Sequence, residues 1–219
     1  MATEISAKIV KELRDKTSAG MMACKKALQE SNGNLEEAIE NLKKKGLASA
    51  TKKASRIASE GVVQAYIHMG GKLGVLVELN CETDFVARNP EFQELARSVA
   101  MQIAASPSVQ FVKMSEIPQA VIDFEKETEF KKDDLGNKSK DIKEKIVEGR
   151  IQKRLKEMSL LDQAFIRDTN ITVEELIKQN ISILGENIQI RRFERFVLGE
   201  GLEKREDNFS DEVAKMINK

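Results

Sequence analysis

The chain has 219 residues, enough for one large domain or two or three small ones. Its 36 Lys and Arg residues balance its 36 Asp and Glu residues. The cation excess that a non-specific nucleic-acid binder uses to displace phosphate counterions is therefore missing, and direct nucleic-acid binding is not expected. Two isolated cysteines, Cys24 and Cys81, form no CxxC pair and fit a reducing compartment. No apolar run approaches the roughly 20 residues of a membrane span, so no membrane partner is expected. Met1 to Lys16 carries charges through its apolar pattern and lacks the apolar run of a signal peptide.

Residues 3–46 read as three short helices. Ile5, Ile9, Val10 and Leu13 form the stripe of the first, which breaks at Thr17, Ser18 and Gly20. The second runs from Met21 to Glu30, with Met22, Ala23, Ala27 and Leu28 as its apolar residues. Asn32-Gly33 is a turn signal, and Asn34 with Glu37 has capping-box spacing. Leu35, Ala38, Ile39 and Leu42 mark the third helix, which Gly46 is expected to stop. Three helices in so short a stretch make a marginal core, so residues 1–46 read as a module tethered to something larger. Residues 47–60, rich in Ala, Ser and Lys, read as a linker or a weak helix. The lysines at 43–45, 52 and 53 read as a solvated helix end.

From Gly61 the period changes. Val63, Ala65, Ile67 and Met69 alternate with Gln64, Tyr66 and His68. Gly70-Gly71 is a two-residue hairpin signal, and Leu73, Val75, Val77 and Leu79 resume the alternation on a return strand. That parity puts Cys81 on the core face. Asn89-Pro90-Glu91 is a dense helix start, followed by a stripe of Phe92, Leu95, Ala96, Val99 and Ile103. Residues Glu82 to Arg88 are left as the connecting loop.

Residues 117–158 look like a charged helical hairpin. Ile117, Val121 and Phe124 mark one arm; Ile142, Ile146, Val147, Ile151, Leu155 and Met158 mark the other, with a turn at Asp133–Asn137. The seam thins towards that turn. Ala164 to Ile166 suggests a short extended piece, and Thr172-Val173-Glu174-Glu175 a capping box opening a helix. Asn187 to Leu198 reads as a third strand, with a phase shift at Arg191-Arg192 that predicts a bulge. Ser210 is placed to cap a last helix, 206–219, with Val213, Ala214 and Ile217. The core spans 61–205.

The chemistry-bearing inventory is sparse. The single histidine, His68, falls on the polar parity of its strand, and no nucleophile–base set assembles around it. No His/Cys metal spacing exists. Gly70-Gly71-Lys72 lacks the rest of a phosphate loop and does not open a helix. No cofactor and no enzymatic activity are expected. The segment Thr83-Asp84-Phe85-Val86-Ala87-Arg88-Asn89 stands out: an anion, a large aromatic and a cation between two rigid elements. Phe85 is either an exposed interface anchor, with Asp84 beside it, or it packs inward while Asp84 caps a turn. Met21 and Met22 are either core or an adaptable contact surface.

Three stretches carry a family resemblance. They are Val10-Lys11-Glu12-Leu13-Arg14 with Thr17, Ala19-Gly20-Met21-Met22 and Cys24-Lys25-Lys26-Ala27-Leu28; Glu78-Leu79-Asn80-Cys81-Glu82-Thr83-Asp84-Phe85-Val86-Ala87; and Gly185-Glu186-Asn187-Ile188-Gln189-Ile190-Arg191-Arg192. In these the chain resembles elongation factor Ts of bacteria and organelles, in a short form with a single core copy. The resemblance implies an α+β fold: a three-helix module similar to ubiquitin-associated domains, then a three-stranded antiparallel sheet with helices and an inserted hairpin. It implies guanine-nucleotide exchange on elongation factor Tu in the cytoplasm or an organelle, with a homodimer as one possible form. It implies that Thr83, Asp84, Phe85 and Val86 disturb the partner's magnesium site, Phe85 as a wedge and Asp84 as the adjacent acid. Arg14, Met21 and Met22 match positions that touch the same partner domain. The competing readings are a scaffolding protein built on the first module and a factor that binds RNA directly.

Overall fold

The computed structural model describes residues 5–17, 19–132 and 139–203. The hairpin turn at 133–137 and the helix expected at 206–219 lie outside the described residues.

Helices α1 (Ala7–Thr17), α2 (Met21–Glu30) and α3 (Leu35–Lys53) enclose a small core of Val10, Leu13, Cys24, Ala27, Leu28 and Ala38. On α2 the buried stripe is Cys24, Ala27 and Leu28, at i, i+3 and i+4, while Met22 and Ala23 face out. Asn34 caps α3 by accepting from the backbone N–H groups of Glu36 and Glu37. The helix expected to stop at Gly46 runs on to Lys53, so only residues 54–59 connect it to the next strand. Gly46 serves a close approach instead. A Cβ there would sit 2.8 Å from Ser182 Oγ on helix α8 (Val173–Leu184), along which α3 packs. Ala50, one turn on, joins the main core.

Strands β1 (Glu60–Ile67), β2 (Leu73–Cys81) and β5 (Gln189–Val197) form one antiparallel sheet in the order β1-β2-β5. The architecture is thus α+β, with the helical module ahead of a three-stranded antiparallel sheet. Val75, Val77, Leu79 and Cys81 are buried on the inner face beneath helix α5 (Pro90–Ala105), in one core cluster with Val173, Ile177 and Ile181 of α8. The stripe Phe92, Leu95, Ala96, Val99 and Ile103 of α5 is buried as its period predicts.

The parity of β1 corrects the sequence reading. Val62, Gln64 and Tyr66 pair with Leu79, Val77 and Val75 and share their inner face, because directly opposed residues lie on one side of a sheet. Val63, Ile67 and Met69 are exposed. The pairing of Glu78 with Arg192 and of Leu79 with Ile190 leaves Arg191 as the extra residue of the expected bulge. Consecutive arginines then reach one acceptor: Arg191 Nη1 lies 2.8 Å and Arg192 Nε 2.7 Å from the Glu78 carboxylate.

Helices α6 (Gln119–Phe130) and α7 (Lys140–Met158) form the arms of the hairpin. Its core is Ile117, Val147, Ile151, Leu155 and Met158, all away from the tip. Phe124 and Ile142, expected in the seam, are exposed, and Glu125–Arg154 and Glu129–Arg150 ion pairs cross between the arms. Beyond the hairpin, β3 (Ala164–Phe165) pairs with β4 (Asp168–Thr172), a strand that the sequence pattern does not reveal. Thr172 and Glu175 close the expected capping box on α8. Among the described residues no helix is long and apolar enough to cross a membrane.

Candidate partner-binding site

β2 ends at Cys81, and the chain then makes one helical turn, α4 (Asp84–Ala87), where the sequence suggests only a loop. Thr83 is its N-cap. The Thr83 hydroxyl accepts from Val86 N at 3.4 Å, and the Thr83 carbonyl accepts from Ala87 N at 3.2 Å. Asp84 sits inside the turn and pairs with Arg88 at 3.0 Å rather than capping it. Asn89 then caps α5 through Glu91 N, with Pro90 at the first helical position. Two capped helices meeting end to end explain why this short segment holds a fixed shape.

That shape excludes the inward-packed reading of Phe85. Ala87 is buried and Val86 packs against the main core, so α4 has a definite inner side. Phe85 lies on the other side and is 83% exposed. A large aromatic ring held clear of the core is the kind of side chain that recurs in binding hot spots. Val86 acts as the root of the turn.

Beneath the turn lies Cys81, fully buried, whose thiol donates to the Thr83 carbonyl at 3.1 Å. Burial, and secondarily the negative charge of Glu186, pushes this thiol up to about 11. A group whose proton is held more tightly in the folded than in the unfolded chain stabilises the fold only while both states keep it. Stability is therefore expected to fall as pH rises from about 9 towards 11. At pH 8 Cys81 is expected to react with a thiol reagent at least about 100-fold more slowly in native protein than in urea-unfolded chain. Comparable rates would show that the thiol is reachable.

Sequence reasoning assigns no role to the groups that hold the turn in place. Glu186 follows Gly185, whose φ of 82° ends α8 and swings the chain towards the end of β2. Its carboxylate accepts from Glu82 N at 3.1 Å, Thr83 N at 3.0 Å and the Thr83 hydroxyl at 2.7 Å. Glu82 returns the contact, accepting from Asn187 N at 2.7 Å. The run Gly185–Arg192 stands out in the sequence as a motif. Nothing in its local pattern places it against residues about 100 positions earlier.

Arg14, Met21 and Met22 form a separate set. Arg14 is exposed on α1, and the first turn of α2 leaves Met21 and Met22 both exposed, so neither methionine belongs to the core. Among the described residues no hydrogen bond or ion pair joins this set to Thr83–Val86.

Residues 2–200 match the family model described as elongation factor TS. The chain belongs to the elongation factor Ts family. Within that family it is 74% identical to the chloroplastic elongation factor Ts of Rhodomonas salina and 71% identical to that of Guillardia theta, in each case over the whole of both chains. It is also 64% identical to elongation factor Ts of a Picosynechococcus species over 211 residues, covering 96% of this chain and 97% of the relative. Membership makes the chain a translation elongation factor and places the exposed Phe85 in a family with a protein-biosynthesis role.

Proposed function

We propose that the chain is the guanine-nucleotide exchange factor for elongation factor Tu, binding its GDP complex and promoting replacement of GDP by GTP. The observation that carries this reading is Phe85, 83% exposed on a turn capped by Thr83, in a member of the elongation factor Ts family. Nucleotide held at nanomolar affinity is bound by about 12 kcal/mol, so an exchange factor needs a large differential affinity for the open partner. An aromatic ring entering an apolar pocket of the open state supplies it. Asp84, one residue earlier and paired with Arg88 in the free protein, would bring its carboxylate to the partner's magnesium and phosphate region and would there weaken the closed arrangement. Arg14, Met21 and Met22 give a second point of attachment to the same partner domain. No covalent step and no cofactor of its own enter this scheme. The balanced net charge supports a protein partner over direct RNA binding. Chloroplastic and cyanobacterial relatives support a site of action in organelle stroma or bacterial cytoplasm.

Linkage makes the scheme testable without kinetics. If the chain weakens GDP binding, GDP must weaken the chain's binding by the same factor. Titration calorimetry against elongation factor Tu, with and without saturating GDP, is expected to show tighter binding to the nucleotide-free partner. Equal affinities would contradict exchange, because a ligand indifferent to two states shifts neither.

The outer sheet face supports a homodimer as the working form. Ile67, Gly74 and Phe196 lie opposite one another across the three strands, and the missing side chain at Gly74 leaves a shallow hollow between the two apolar residues. Ile67 and Phe196 are exposed, as are Val63 and Leu76 on the same face. Two copies related by a two-fold axis set this face against itself, with the Glu78–Arg191–Arg192 cluster at its rim. Phe196→Asp is expected to convert a dimer to a monomer in sedimentation velocity. A wild-type chain that sediments as a monomer at micromolar concentration removes the second copy as occupant of that face.

A further inference from the structure

We propose that Glu186 is a positioning residue for Phe85: its carboxylate orients the Thr83 hydroxyl so that this hydroxyl caps the turn from which Phe85 projects. The inference rests on the reading of Phe85 as the partner-contacting side chain and deepens it.

An exposed ring has no packing of its own to hold it, so its direction is set by the backbone beneath it. That backbone is a four-residue turn, too short to persist unaided, since helix nucleation is unfavourable. What fixes it is Thr83, all of whose polar groups are engaged. Its N–H donates to Glu186 Oε2 at 3.0 Å and its carbonyl accepts from Ala87 N and from the Cys81 thiol. Its hydroxyl donates to Glu186 Oε1 at 2.7 Å and accepts from Val86 N at 3.4 Å.

The direction of the hydroxyl proton is the decisive point. A threonine hydroxyl can donate one hydrogen bond, and an ionised carboxylate can only accept. With the hydroxyl hydrogen directed at Glu186, the lone pairs of Oγ1 are left to accept from Val86 N–H. Charge-assisted bonds of this kind are stronger than neutral ones, and three donors converge on one carboxylate. The Glu82 and Thr83 amides lie past the end of the β2 ladder, whose last pairs are Asn80–Gln189 and Cys81–Glu60. Glu186 therefore replaces the strand that is no longer there. The return bond from Asn187 N to Glu82 stops the α8–β5 connection from drifting away from the turn. Glutamine at 186 could still accept through one oxygen, but its amide nitrogen cannot, so at least one of the three bonds must be lost.

The test is a double-mutant cycle with a readout on the free protein. Glu186→Gln is expected to lower hydrogen-exchange protection of the Val86 and Ala87 amides by about tenfold, with α5 unchanged. It is expected to reduce acceleration of GDP release from elongation factor Tu by about tenfold, and to add no loss in a Phe85→Ala background. Thr83→Val, which removes the hydroxyl but leaves the backbone bonds to Glu186, should reproduce both effects and serves if Glu186→Gln does not fold. Unchanged protection at Val86, or an equal loss of activity in the Phe85→Ala background, overturns the proposal. A drop in protection together with a Phe85→Ala variant of full activity has a different meaning: the turn is clamped as described, but Phe85 is not the contacting group, and the positioning role falls with it.

Discussion

Phe85→Ala is expected to lower acceleration of GDP release from elongation factor Tu by about 30-fold or more while leaving the fold intact. The magnitude follows from the hot-spot scale, where truncating a central aromatic costs about 2 kcal/mol or more and each 1.4 kcal/mol is about tenfold. Fold retention follows from exposure: at 83% the ring contributes almost nothing to the core, and surface changes away from special features stay within about 0.5 kcal/mol. The turn itself depends on Thr83, not on the ring. Phe85→Leu should recover part of the loss, because it keeps an apolar group of similar reach. An unchanged release rate with a normal urea transition would remove Phe85 from the mechanism.

Phe92→Ala is expected to do the reverse. Phe92 is fully buried in the first turn of α5, in the same cluster as Val75, Val77 and Leu79 of the sheet. Truncating a buried Phe costs about 3–5 kcal/mol, from lost transfer energy and the cavity left behind. Against a total stability of about 5–15 kcal/mol, this is a large fraction. The urea midpoint should fall accordingly, and the slope of the transition should not change. A loss under about 1 kcal/mol would mean that the helix does not seat on the sheet as described. The two aromatics lie seven residues apart, and the contrast between them separates function from stability in one short segment.

Much of this organisation is legible in the amino-acid sequence. Asn89-Pro90-Glu91 locates the start of α5 because capping is a local interaction, and Thr172 with Glu175 does the same for α8. The bulge at Arg191-Arg192 shows itself as a break in a period of two. Other features are out of reach of local pattern. Gly46 is helix-stopping by composition, but its role is set by Ser182, a residue on another helix. The inner face of β1 is ambiguous because both of its faces carry apolar residues, and only the register with β2 chooses between them. Cys24 rather than Met22 is buried because the stripe on α2 is fixed by what α1 and α3 present. Phe85 is ambiguous for a related reason: a turn of four residues has too few positions for a period to show which side faces in. The Glu186–Thr83 contact spans 103 positions, and no local rule reaches that far.

The most direct test of the exchange-factor account is the release of a fluorescent GDP analogue from purified elongation factor Tu, followed by stopped flow with increasing amounts of this protein. The account predicts that the release rate climbs with protein concentration and that magnesium chelation narrows the difference. A release rate that stays at its spontaneous value with micromolar protein present would contradict it.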